Sequence, residues 1–215
     1  MSATRGITMS FIRLTLSIFS AVMALSTAAH AEAPAPSAAT VQNLQAAYDG
    51  ESNAHARYVA FAVAADTEGY HQVASLFRAA AAAEKIHAAN HAKVIEELGA
   101  VPKADVKKPE VKSTRENLSA AIAGESYERD TMYPGFIKTA DQAGLAKAVR
   151  TFKYAAAAEA SHAKFYAEAL ANLEGWRTGT RSFYVCAVCG ETLAALPDVR
   201  CPVCKAGKDK FEVVS

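Results

Sequence analysis

Each helical stretch of this chain carries acid in the stripe that would face a core. Residues seven apart share a helix face. On that spacing Leu44, Glu51, Tyr58 and Ala65 form one line. Phe77, Glu84, His91 and Leu98 form a second, with Val73, Ala80, His87 and Val94 beside it. A third holds Leu118, Glu125, Met132 and Thr139, flanked by Ala121 and Glu128. The fourth holds Leu145, Phe152, Glu159, Tyr166 and Leu173, flanked by Ala155 and His162. No lysine or arginine stands in these stripes to pair with the acids. Burying one ionised carboxylate without a partner costs several kcal/mol, whereas a whole domain is stable by only about 5–15 kcal/mol. Such a set of acids demands bound cations. Hard oxygen donors joined by two imidazoles suit a pair of iron or manganese ions better than zinc.

Turn signals arrange the stripes into two hairpins. The periodic stretches run from about Thr40 to Glu68, Tyr70 to Leu98, Ser113 to Gln142, and Gly144 to Glu174. Ser113 with Glu116 makes a capping box at the third start, and Gly99 reads as a C-cap. Helices of this length are about 42 Å long, so the short turns at Gly69 and Gly144 can only join antiparallel neighbours. The polar linker from Gly99 to Lys112 can reach about 45 Å when extended, enough to return along the bundle. The pattern predicts an all-α ferritin-like four-helix bundle with one long crossover over residues 40–175. Counted from the two short turns, the seven candidate ligands fall within about 6 Å of one level. These are Glu51, Glu84, His87, Glu125, Glu128, Glu159 and His162. His55, His71 and Glu68 lack such support and read as surface residues. His91, one turn past His87, reads as a satisfied core histidine, with a supporting role behind the ligands as the alternative.

Residues 1–31 read as a signal peptide. Arg5 and Arg13 precede an apolar run from Leu14 to Leu25, and Ala29-His30-Ala31 forms a small-x-small cleavage site. The run is short and broken by serines, so no permanent membrane span is expected. The protein is expected to be periplasmic or otherwise exported, with tethering by an uncleaved signal as the alternative. Residues 32–39 read as a flexible leader. A formal net charge of +1 without a basic stripe excludes a nucleic-acid partner.

After a linker from Trp176 to Ser182, residues 183–215 hold all four cysteines, as Cys186-x-x-Cys189 and Cys201-x-x-Cys204. Two such knuckles specify a tetrahedral four-thiolate site, and so short a module needs its metal to fold. Spacing leaves redox iron, structural zinc and a pair of disulfides open.

Taken together, the mature chain resembles rubrerythrin. The match rests on Gly50-Glu51 with Tyr58, Glu84-x-x-His87, Gly124-Glu125-x-x-Glu128, Met132-Tyr133-Pro134-Gly135-Phe136, Glu159-x-x-His162 and the cysteine knuckles. The resemblance implies that Glu84 and Glu159 bridge two irons, with Glu51, Glu125, Glu128, His87 and His162 as terminal ligands. It places Tyr58 and Tyr133 close to the cluster and a rubredoxin-like iron, alternatively zinc, on Cys186, Cys189, Cys201 and Cys204. It also implies that Glu128 and His87 exchange at one iron on reduction. The signal peptide and the slightly compressed knuckle spacing depart from the family's usual pattern.

The expected activity is a di-iron peroxidase that reduces hydrogen peroxide to water, with electrons from an unidentified donor relayed through the four-cysteine centre. A ferroxidase or O2-reducing protein, or a non-catalytic iron-binding protein with a structural zinc ribbon, are the alternatives. Within one chain the tail is expected beyond the end of the bundle, too far for direct transfer. A head-to-tail homodimer, as the family uses, is expected to close that gap.

Overall fold

Alanine-rich segments with strong helix propensity build most of the molecule. The computed structural model describes residues 1–2 and 36–215. The signal peptide and the start of the leader fall outside the described residues, Met1 and Ser2 excepted. Helix α1 spans Pro36–Thr67 and α2 spans His71–Glu97. Pro36 to Ala39, expected as flexible leader, are therefore helical; proline is tolerated in a first helical turn. Among the described residues no helix is long and apolar enough to cross a membrane.

The crossover runs extended along α1. Its backbone is pinned there by hydrogen bonds that include Asp105 N–H to Asp49 Oδ1 at 2.6 Å and Lys107 N–H to Asn53 Oδ1 at 2.9 Å. Helix α3, Thr114–Tyr127, then starts at the expected capping box, in which Ser113 and Glu116 satisfy each other's backbone N–H. Glu68, from the first hairpin, accepts from Thr114 N–H with both carboxylate oxygens at 3.1 Å. An anion at a helix N-terminus is favourable, so this surface residue ties the two hairpins together. Ser113→Ala is expected to lower stability by about 1 kcal/mol, measured as a shift in the urea midpoint at unchanged slope.

The third helical stretch is not continuous. A π-helical turn at Glu128–Met132 separates α3 from α4, Tyr133–Gln142. A π turn admits one extra residue, and every later position moves by one. The expected stripe of Leu118, Glu125, Met132 and Thr139 is thus corrected. Tyr133 and Ala140 are fully buried, while Met132 and Thr139 are only half-buried. Helix α5, Ala146–Ala171, completes the bundle.

Two apolar layers sandwich the acids. On one side lie Tyr58, Phe61, Phe77, Leu118 and Tyr166; on the other lie Leu44, Ile95, Tyr133 and Phe152. The chain then makes a 3-10 turn at Leu173–Trp176 and folds back. Arg177 donates to the Glu68 carbonyl at 3.2 Å and to Tyr70 Oη at 2.9 Å, while its own carbonyl accepts from His71 N–H. A three-stranded antiparallel sheet follows, of β1 (Phe183–Cys186), β2 (Thr192–Leu193) and β3 (Phe211–Val214), in the order β2-β1-β3. Phe183 is buried against Phe165 and Trp176 and belongs to the bundle core. The described residues 36–215 consequently form one unit. The tail does not lie beyond the bundle end, as expected from linker length. Its apolar first strand has a better place against α2 and α5 than in water.

Candidate metal centres

Glu51 on α1, Glu84 and His87 on α2, Glu125 on α3, and Glu159 and His162 on α5 all point inward, none more than 2% exposed. Their donor atoms form two overlapping groups. Glu51, Glu84, His87 and Glu159 make one, and Glu84, Glu125, Glu159 and His162 make the other, with all donor atoms of a group within 4.8 Å of one another. Only Glu84 and Glu159 belong to both. Two metal ions, one held by each group, would share Glu84 and Glu159, with Glu51 and Glu125 each serving one of them. The fifth expected carboxyl, on Glu128, is in neither group. It is half-buried at the π turn and lines a surface cavity of about 740 Å³ together with Asn53, Arg57, Lys107 and Glu116.

The donor set fits metal better than protons. Glu51 Oε2, Glu84 Oε1 and Glu159 Oε1 are buried without a hydrogen-bond partner. Orphaned buried acceptors of this kind are rare. His87 Nδ1 lies 2.8 Å from Glu84 Oε2, and His162 Nδ1 lies 2.9 Å from Glu159 Oε2. Each ring's far nitrogen is engaged by the tail module. His87 Nε2–H donates to the Cys189 carbonyl at 3.1 Å, and His162 Nε2–H to Thr192 Oγ1 at 3.0 Å. A metal-binding histidine is oriented by such a bond, which fixes the tautomer that leaves Nδ1 free. The cysteine module thus supplies the outer support for both imidazoles.

Two tyrosines steady the terminal carboxylates. Tyr58 Oη donates to Glu125 Oε1 at 2.6 Å, and Tyr133 Oη donates to Glu51 Oε1. Burial, then the facing carboxylates, push both phenols well above their usual range, so they stay neutral donors.

The electrostatics of the cage give a pH test. Burial and neighbouring carboxylates push Glu51 and Glu159 well up, and Glu128 up to about 8. Burial opposes charge on His87 and His162, but the surrounding glutamates outweigh it and raise both. Glu84 is the exception: burial would raise it, yet His162 and His87 pull it down to about 2. The raised carboxyls bind more protons folded than unfolded as pH climbs from the unfolded value, 4.5, through about 8, and the two histidines join them above 6.5. The metal-free protein is therefore expected to lose stability steadily over that range, whereas Glu84 costs stability only below about pH 4.5. With metal bound the slope should reverse, because ligation needs the deprotonated groups. Thermal midpoints of both forms between pH 5 and 8 check this.

In the tail, the four sulfurs lie within 4.8 Å of one another, with Cys186–Cys204 and Cys189–Cys201 each at 3.6 Å. All four cysteines are free. Disulfide sulfurs sit about 2.05 Å apart, whereas a tetrahedron with metal–sulfur bonds of about 2.3 Å has edges of about 3.8 Å. The disulfide alternative is set aside in favour of a four-thiolate centre. The Cys189 thiol and the backbone N–H groups of Val188 and Cys189 stabilise the Cys186 thiolate, holding it down at about 5.

Gly190 follows the first knuckle with φ +79°, and a Cβ there would overlap His87 Nε2. Glycine is required twice over, by the turn and by the close approach. Gly190→Ala is expected to lift the module off the bundle and break the His87–Cys189 bond. Hydrogen exchange at β1 would report the loss.

The rubrerythrin model matches residues 42–170, and the model of the rubredoxin-like domain of rubrerythrin matches 184–212. The chain belongs to the rubrerythrin family. Nigerythrin of Nitratidesulfovibrio vulgaris is 40% identical over 173 residues, covering 80% of this chain and 85% of that protein. Rubrerythrin-2 of Clostridium acetobutylicum is 38% identical over 178 residues, covering 81% and 96%. Among solved structures, fully reduced, all-ferrous nigerythrin matches with a TM-score of 0.75 at 34% identity, covering 92% of this chain and 100% of that one. Bacterioferritin of Desulfovibrio desulfuricans shares the fold alone, at 22% identity and a TM-score of 0.59 over 65% and 82%. As a rubrerythrin-family member the protein is a ferritin-like di-iron oxidoreductase with a rubredoxin-like four-cysteine domain.

Proposed function

We propose that this rubrerythrin-family chain reduces hydrogen peroxide to water with electrons delivered through its own four-cysteine centre. One observation carries the proposal: His87, whose Nδ1 sits in the carboxylate cage, is hydrogen-bonded through Nε2 to the carbonyl of Cys189. The bonded path from Cys189 Sγ to His87 Nδ1 crosses a single hydrogen bond within one chain. That contact spans, within this chain, the gap a head-to-tail homodimer was expected to close.

Reduction of one peroxide to two waters consumes two electrons and two protons. The two donor groups would hold two ferrous ions, which when bound would supply one electron each. The protein's part is to hold, admit and exclude. Paired apolar layers keep bulk water from Glu51, Glu84, Glu125 and Glu159. Tyr58 and Tyr133 fix the terminal carboxylates. Glu128 lies outside the cage beside the 740 Å³ cavity, while His87 Nδ1 lies inside. This fits an exchange of Glu128 for His87 with oxidation state and makes the cavity the route of entry. The similar protein nigerythrin has been solved fully reduced, partially reduced and mixed-valent, which supports redox cycling here.

The test is rapid mixing of the anaerobically reduced, iron-loaded protein with hydrogen peroxide or with O2. Peroxide is expected to oxidise it much faster, with thiolate-to-iron absorption following the di-iron signal. Faster reaction with O2 would favour the oxidase or ferroxidase reading. Zinc in the tail and no turnover would favour the non-catalytic one.

A further inference from the structure

His91 is fully buried and belongs to neither metal group, yet both of its ring nitrogens are engaged. Nε2 lies 3.2 Å from Tyr133 Oη, and Nδ1 lies 3.1 Å from Thr151 Oγ1. The direction of each bond can be deduced. Tyr133 has one hydroxyl proton and gives it to Glu51, so its oxygen must accept from His91, which places a proton on Nε2. Burial holds the His91 imidazole down at about 3, so the ring is neutral and Nδ1 carries no proton. Nδ1 must then accept from the Thr151 hydroxyl. All three bonds therefore point the same way, from Thr151 to His91 to Tyr133 to Glu51.

The outer end meets solvent. Thr151 lines a surface cavity of about 340 Å³ together with Lys93, Glu97, Lys147 and Arg150. This cavity is separate from the one at Glu128, which shares no lining residue with it. A hydrogen-bonded chain of one polarity thus joins water on the α2–α5 face to a carboxylate of the cage. A histidine present only to satisfy its own polar atoms would need neither this common direction nor these two ends.

We infer that Thr151, His91 and Tyr133 form a proton relay that delivers solvent protons to the di-iron cage at Glu51. The inference rests on the peroxide reading above, which requires two protons for every peroxide reduced. A proton passing from Tyr133 to Glu51 is replaced from His91 Nε2. That proton is replaced from Thr151 at Nδ1, and the threonine recovers its own from water in the cavity. No member changes its resting charge, since each takes one proton as it gives one. Between transfers the hydroxyls rotate and the imidazole returns to its Nε2–H tautomer, a step that deuterium should slow. Thr151 and His91 are positioning residues here, acting through Tyr133.

The experiment uses the full iron-loaded chain and the variants Thr151→Val, which keeps the shape without the hydroxyl, and Thr151→Ser, which keeps the hydroxyl. One readout is single-turnover oxidation of the reduced protein by hydrogen peroxide in H2O and in D2O. The second needs no turnover: hydrogen–deuterium exchange of the Tyr133 hydroxyl, followed by infrared spectroscopy of tyrosine-labelled protein, with Tyr133→Phe identifying the band. Thr151→Val is expected to slow both by about tenfold or more and to raise the solvent isotope effect, at unchanged iron content and with the melting temperature lowered only by the one lost buried hydrogen bond. Thr151→Ser should restore parental behaviour. Parental exchange and isotope effect in Thr151→Val would overturn the relay. If the parent itself turns over no peroxide, the peroxide reading fails, and unslowed exchange in Thr151→Val would sink the relay on its own.

Discussion

Glu84→Gln is expected to lower peroxide turnover by about a thousandfold or more, since a bound metal contributes several kcal/mol to such chemistry and each 1.4 kcal/mol is about tenfold. Glu84 is one of two carboxylates common to both donor groups, so its loss removes a bridge rather than a single terminal ligand. Stability should respond very differently with and without metal. In the iron-loaded protein the variant loses ligation and is expected to melt lower. In the metal-free protein Glu84 raises Glu51, Glu128 and Glu159 through like-charge repulsion, which argues for relief. Yet Glu84 also carries the hydrogen bond from His87 and is itself pulled down to about 2 by His162 and His87. Replacing it leaves His87 a weaker, uncharged acceptor and takes a neighbouring negative charge from His162, so the relief should be small. The expected result is a drop of about 3–5 kcal/mol in the loaded form against a change near zero in the stripped form. Calorimetry of both forms, alongside iron analysis and a turnover assay, checks all three parts.

The second large effect concerns the tail. Cys201→Ser removes one of four thiolates, and metal binding to modules of this size supplies about 10–16 kcal/mol of folding free energy. Residues 183–215 are expected to unfold locally while the helices persist. The two imidazoles would then lose their Cys189 and Thr192 partners. Amide exchange should become fast throughout the tail and remain slow in α2 and α5. Function should divide in the same way. A single oxidation of the pre-reduced cage should survive at a reduced rate, while repeated turnover should stop for want of electrons. Equal loss of both would mean the module serves only to hold the bundle together.

Much of this was legible in the sequence because the ligands obey helix geometry. Heptad spacing put Glu51, Glu84, Glu125 and Glu159 on core stripes, and turn positions put them at one level. The structure buries all four. The linker between Gly99 and Ser113 fixed the crossover for the same reason, as a matter of reach. The π turn left no such trace. One extra residue at Glu128–Met132 changes no local preference, yet it moves Tyr133 into the core in place of Met132 and leaves Glu128 outside the cage. The return of the tail was equally hidden. It depends on a carbonyl at Cys189, a hydroxyl at Thr192 and the missing Cβ of Gly190, groups that carry no periodic pattern. Gly190 offered the nearest signal, although a knuckle turn alone would explain it. His91 was visible as a core histidine. Its two partners, Tyr133 and Thr151, come from other helices and only folding shows them.

The most direct measurement compares thermal unfolding of the helices, followed by circular dichroism at pH 7.5, for iron-loaded and fully metal-stripped full-length protein. Stripping leaves Glu51, Glu84, Glu125 and Glu159 buried without their cations and should lower the helical midpoint by about 10 °C or more, given several kcal/mol lost. Equal midpoints would contradict the account, for acids that cost nothing without metal cannot be facing one another inside the bundle.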